Sequence, residues 1–136
     1  MRLDLTKRAD YAIRATLALA RAGEGRRLSA RQIAESEAIP GQILPRIMID
    51  LTRAGLVVAV AGRTGGYELA RSSAAISILD VIAAVEGDPH RRTCVLRGGP
   101  CRLAGACDVH AVFFAAQEAL LATLGQATLD GLVGGS

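Results

Sequence analysis

The chain has 136 residues, 51% of them apolar and 21% charged, which suits about one domain with a real core and excludes a disordered tail. Its charge is uneven: residues 1–71 hold twelve basic and seven acidic side chains and residues 72–136 hold four and six, so the positive field lies in the N-terminal half, as suits contact with phosphates. No apolar run reaches the roughly 18 residues of a membrane span and no signal peptide is evident, so a cytoplasmic protein with reduced thiols is expected.

From Leu5, the segment LTKRADYAIRATLALARAG sets Tyr11, Ile13, Leu17, Leu19 and Ala20 among many alanines, with Arg8, Arg14 and Arg21 on the polar side. This pattern predicts a first helix that stops at Gly23. Asp10 near its start would stabilise the first turn through the helix dipole. Arg26 and Arg27 follow in a short linker.

Ser29, with Gln32 three residues on, forms a capping-box signature that opens a short second helix. Ser36 to Ile39 reads as a turn. Pro40 then fits the first turn of a third helix running through Ile43, Leu44, Ile47, Ile49 and Leu51 to a stop at Gly55. Pro45 conflicts with that start, because a proline inside a helix removes a hydrogen bond and costs about 3 kcal/mol. Either the helix begins nearer Ile43 or its first turn is irregular. Helix, short turn and helix is the arrangement of a helix-turn-helix reader.

Leu56 to Ala61 and Tyr67 to Ala70 are strand-prone, and Gly62-Arg63-Thr64-Gly65-Gly66 turns between them, which predicts a β-hairpin. A hairpin directly after a helix-turn-helix is a wing. The tip lacks the GxxxxGK[ST] spacing of a nucleotide-binding loop. The expected fold is therefore mainly α with a small β-hairpin: a winged helix-turn-helix followed by a long C-terminal helix. On it, Gln42 is a candidate for adenine edges and Arg46 for guanine or phosphate. Ser29 and Arg31 would meet the backbone at the second helix's N-terminus, and Arg63 with Thr64 a phosphate or minor groove at the wing tip. A solvated surface role competes for each.

Ser77 and Asp80 mark another capping box, opening a fourth helix from Ile78 to Val85 that ends at Gly87 and is expected to pack on the first. Further on, Val109, Val112, Phe113, Ala116, Leu120 and Leu124 recur every three or four residues, predicting a long terminal helix. Packing within the chain explains that stripe as well as dimerisation does. Gly131 to Ser136 reads as a frayed tail.

Between these helices, CVLRGGPCRLAGACDVH gathers all three cysteines into fourteen residues, spaced C-x6-C-x5-C-x2-H. Gly98, Gly99, Pro100 and Gly105 allow the backbone to wrap a compact group, and three inward sulfurs suit a soft cation. Arg91, Arg92, Arg97 and Arg102 favour thiolates and offset a cluster's negative charge. Three thiols leave one position for another ligand, for which His110 is a candidate. A disulfide needs an oxidising compartment, buried thiols fit poorly in a Gly/Arg-rich loop, and the short C-x2-C knuckle usual for structural zinc is missing; an iron-sulfur cluster is favoured over these. A Cys107–His110 catalytic pair lacks a third orienting group, so no enzyme activity is expected.

LTKRADYAIRATLALA at the start, AGLV at 54–57, GRTGGYELAR at 62–71 and the triple-cysteine loop together resemble the Rrf-two family of bacterial winged-helix regulators over nearly the whole chain. The cysteine loop is similar to that of its cluster-binding IscR-like and NsrR-like branches. The resemblance implies a homodimer on a palindromic operator in double-stranded DNA, acting as a repressor that senses redox, nitric oxide or iron-sulfur status. Cys94, Cys101 and Cys107 would be cluster ligands. The fourth would be His110, as in IscR-like members, or Asp10 of the partner subunit, as in NsrR-like ones. This chain has both residues, and its first cysteine gap is one residue longer than the family's five. Asp10 with a 4Fe-4S cluster is preferred to His110 with 2Fe-2S, and a cluster-free thiol switch is the alternative. Residues 1–87 would then be the DNA-binding domain, 88–107 the cluster loop and 108–130 the dimerisation helix.

Overall fold

In the computed structural model, which describes residues 5–87 and 109–134, helix α1 (Lys7–Ala22) is the hub that most of the other elements pack against. Thr6 caps it: its hydroxyl accepts the Ala9 N–H at 3.1 Å, satisfying a donor that has no partner inside the helix. Ala9, Ala12, Ala15 and Ala18 recur every third residue and are buried, so neighbouring helices approach closely along that line. Gly23, at φ 97°, ends the helix where the sequence predicts.

Both halves of the Ser29 capping box are formed: Gln32 N–H donates to Ser29 Oγ at 3.0 Å, and Ser29 N–H to Gln32 Oε1 at 2.8 Å. They start α2 (Ala30–Glu37), which takes in Ser36 and so runs past the expected start of the turn. It ends at Ala38 in the left-handed region, φ 54° and ψ 43°. Helix α3 spans Leu44–Arg53, beginning later than Pro40. Pro40 lies in the preceding turn, its carbonyl accepting the N–H groups of Ile43 at 3.1 Å and Leu44 at 3.3 Å. Pro45 thus falls in the first turn of α3, where an N–H has no helical partner to lose, which removes the conflict. Leu44, Ile47, Met48 and Leu51 point into the core.

Strands β1 (Val57–Val60) and β2 (Gly66–Leu69) form the antiparallel wing, with Val57 opposite Leu69 and Val60 opposite Gly66. Leu28 bridges to Tyr67 through bonds of 2.8 and 3.0 Å, adding a third short edge that ties the wing to the start of α2. A 3-10 turn at Ser73–Ala75 leads to α4 (Ile78–Glu86), capped by the Ser77–Asp80 box and packed on α1 as expected.

The long helix α5 (His110–Gln126) packs on α4. The chain then turns back: Ala127 C=O accepts the Ile78 N–H at 2.8 Å and Ile76 C=O the Leu129 N–H at 3.0 Å. Leu129 is fully buried, and α6 (Leu129–Gly134) lies against α1 and the 3-10 turn. The frayed tail is corrected accordingly: Gly131 to Gly134 are helical, because the buried leucine and the two bonds around Thr128 hold the segment on the head.

Candidate nucleic-acid interface

Burying Leu44, Ile47, Met48 and Leu51 turns the opposite side of α3 outward, and there Pro45, Arg46, Ile49 and Arg53 are exposed. Gln42 is exposed in the turn just before the helix. At the wing tip Arg63 and Thr64 are exposed, in a tight turn closed by Gly65 N–H on Gly62 C=O at 3.1 Å. The tip is anchored by Arg27, whose guanidinium donates to Thr64 C=O at 3.4 Å and pairs with Glu68 at 3.6 Å. Two glycines set its path: a Cβ on Gly65 would lie 2.0 Å from Val60 O, and one on Gly66 2.7 Å from Leu28 O. The GRTGG motif therefore has a structural cause as well as any role in binding.

Ser29 spends its hydroxyl as an acceptor in the α2 cap, and Arg31 is engaged one turn on by Glu35 at 3.1 Å, with both side chains open to solvent. Asp10 lies in the first turn of α1 and its carboxylate accepts from Arg14 Nε at 3.0 Å. His110 is the first residue of α5. Cys94, Cys101 and Cys107 fall outside the described residues. Among the described residues no group of three His, Cys, Asp or Glu side chains is arranged to hold a metal ion, and no helix is long and apolar enough to cross a membrane.

Three features were not singled out from the sequence. Arg53 completes the outward row of α3, and its position seven residues after Arg46 was the available signal. Arg27 looks like linker charge until the wing folds over it. An ion pair between Arg8 of α1 and Asp50 of α3 joins residues 42 apart, for which no local pattern exists.

Outside α3, apolar exposure is concentrated on α5. Phe113, Leu121 and Leu124 are partly or fully buried, whereas Val112 and Leu120, on an adjoining stripe, are 68% and 45% exposed. The single stripe read from the sequence is therefore two, one facing the head and one facing out.

An exposed basic helix behind a short turn, flanked by a hairpin with a basic tip, defines a winged-helix protein of the class that reads duplex DNA. The chain matches the Rrf2 family model, described as iron-dependent transcriptional regulator, over residues 5–135, and it belongs to that family. The HTH-type transcriptional regulator IscR of Klebsiella pneumoniae (strain 342) is 32% identical over 129 residues, covering 95% of this chain and 78% of that protein. Among solved structures, CymR (YrzC), the global cysteine regulator of B. subtilis, superposes with a TM-score of 0.83 at 22% identity over 99% of both chains. T. potens IscR superposes at 0.76 and 25% identity, over 97% of this chain and 87% of that one.

Proposed function

We propose that this Rrf2-family transcriptional regulator is a cytoplasmic homodimeric repressor that binds a palindromic operator and senses redox, nitric oxide or iron-sulfur status through a cluster. The DNA half rests on one observation above the others: α3 turns Arg46 and Arg53 outward while a wing anchored by Arg27 presents Arg63, all on the half of the chain with the basic surplus. Residues 1–87 form the reading head in this scheme, 88–107 the sensor loop and 108–130 the dimer helix.

The donor set suits an iron-sulfur centre: three cysteines within fourteen residues, with a carboxylate or imidazole for the fourth position. Cys94, Cys101 and Cys107 would hold it, with Asp10 of the partner subunit or His110 completing the shell, and 4Fe-4S is preferred to 2Fe-2S. Bound there, the cluster supplies a redox-active centre that reacts with small oxidants. The chain's own part is positional. Arg14 orients the Asp10 carboxylate, and Arg8, two residues before Asp10, reaches Asp50 on the reading helix, so α1 links the ligand position to α3.

Iron and acid-labile sulfide, measured on anaerobically purified protein, test the sensor. Coloured protein with both elements, bleached in Cys101→Ser, is the expected result. Colourless, iron-free protein whose operator binding changes on thiol oxidation would replace it with a cluster-free thiol switch. Selection of duplexes from a random library by the full chain tests the DNA half separately.

A further inference from the structure

On α3 the apolar residues divide sharply: Leu44, Ile47, Met48 and Leu51 are nearly inaccessible, whereas Ile49 is 48% exposed. Arg46, Ile49 and Arg53 follow one another at three and four residues, so at 3.6 residues per turn they fall within an arc of about 60°. An isoleucine thus sits between two arginines on the outermost line of the helix. Asp50 beside it, the one acidic residue of α3, is drawn toward α1 by Arg8 and is only 18% exposed, so it leaves the row without an opposing charge.

A protein partner is the poorer fit, because the apolar exposure here, Ile49 with Pro45 and Ile43 nearer the helix start, is small and flanked by Arg46 and Arg53. Duplex DNA matches it on both counts. Its phosphates and guanine edges take arginine, and its major groove displays one apolar group, the C5-methyl of thymine. We propose that Ile49 is a specificity-determining residue that packs against a thymine methyl in the major groove, between the contacts of Arg46 and Arg53. This deepens the DNA-binding function proposed above and rests on it.

The test begins with duplexes selected from a random library by the full-length dimer, in cluster-loaded and cluster-free forms. Each thymine of the selected site is then replaced by deoxyuridine, which lacks only the methyl group. At one thymine per half-site the native protein should lose about fourfold in affinity, the value of one buried methyl. Ile49→Ala should bind thymine and deoxyuridine duplexes alike at that position, with an unchanged thermal midpoint and an unchanged salt dependence, because the phosphate contacts remain. If no thymine shows a methyl dependence that Ile49→Ala removes, or the selected sites contain none, the assignment is overturned while DNA binding stands. If neither form enriches any duplex, the DNA-binding function falls and takes this assignment with it.

Discussion

Arg8 of α1 forms an ion pair with Asp50 of α3, bridging 42 residues of sequence and tying the hub helix to the back of the reading helix. Its Arg8 side chain is 47% exposed, so water screens the charges and the stability it contributes is small. A double-mutant cycle on Arg8→Ala and Asp50→Ala should give a coupling below about 1 kcal/mol by urea denaturation, and less still in high salt. In operator binding Arg8→Ala should lose more than Asp50→Ala, because it frees a carboxylate beside the arginines of α3, and adding Asp50→Ala to it should recover most of the loss. Equal losses in the two single variants, or additive ones in the double, would show that the pair does not hold that charge off the row.

Gly66 has φ 141°, and a Cβ there would sit 2.7 Å from the Leu28 carbonyl oxygen, a backbone atom that cannot swing aside. Gly66→Ala should therefore destabilise the protein by about 1 to 3 kcal/mol in chemical denaturation and loosen the wing from α2. Gly41→Ala, where a Cβ meets nothing within 4 Å and φ is not positive, should cost no more than about 0.5 kcal/mol. Equal effects at the two sites would remove the wing's close approach as the cause.

Local rules carried most of the fold. The Ser29 and Ser77 capping boxes, Gly23 and Gly87 as stops, and the GRTGG tip each depend on residues within a few positions of one another, and the structure forms all of them. What sequence could not supply was contact at long range. Leu28 pairing with Tyr67, Arg27 reaching Glu68, and Leu129 returning to Ile76 leave no periodic trace, so a linker became a sheet edge and a tail became a helix. On α5 the pattern of three and four merged an inward and an outward stripe, because both are apolar and only packing on α4 tells them apart. The DNA-binding candidates Gln42, Arg46, Arg63 and Thr64 are exposed, as any contact would require. Sequence chemistry did not anticipate that Arg31 pairs with Glu35.

Ala38 holds a left-handed conformation at the end of α2, φ 54° and ψ 43°, at a cost of about 1 to 2 kcal/mol for a residue with a Cβ. Ala38→Gly relieves that cost but gives the unfolded chain more freedom, an offset of about 0.4 to 1 kcal/mol. The net expectation is a gain of about 0.5 to 1 kcal/mol, read as a higher denaturation midpoint with an unchanged slope. A lower midpoint would mean that the turn carries no such strain.

Arg63 and Arg46 should part company in their salt dependence. If the exposed Arg63 of the wing tip meets phosphate rather than the minor groove, Arg63→Ala should weaken all duplexes alike and reduce the slope of log affinity against log salt by about 0.9. Arg46, on the outward row of α3, is the candidate for a base edge. Arg46→Ala should cost about 1 to 3 kcal/mol at one base pair and relax preference there. Titrations at four or five salt concentrations on the selected site and on scrambled duplex separate the two behaviours. Identical profiles would show that neither residue reads sequence.

Val112 and Leu120 lie eight residues apart on the outward stripe of α5, 68% and 45% exposed, while on the adjoining side Leu121 is buried and Leu124 packs against the core. A helix that is apolar on both sides needs a second surface to cover it, and a twofold partner would bring two copies of the same stripe together. Val112→Glu or Leu120→Glu would then bury a carboxylate from each subunit without a counter-charge. Dimerisation should weaken by at least about a hundredfold, equivalent to about 2.7 kcal/mol. Sedimentation would show monomer at concentrations where the native chain is dimeric, with far-ultraviolet circular dichroism unchanged because both sites point to solvent. If the proposed dimer is joined through this stripe, affinity for a palindrome should collapse toward that for a single half-site, because two heads would no longer be tied to each other. A variant that stayed dimeric would assign the outward stripe of α5 to some other contact and leave the spacing of the heads to be set elsewhere.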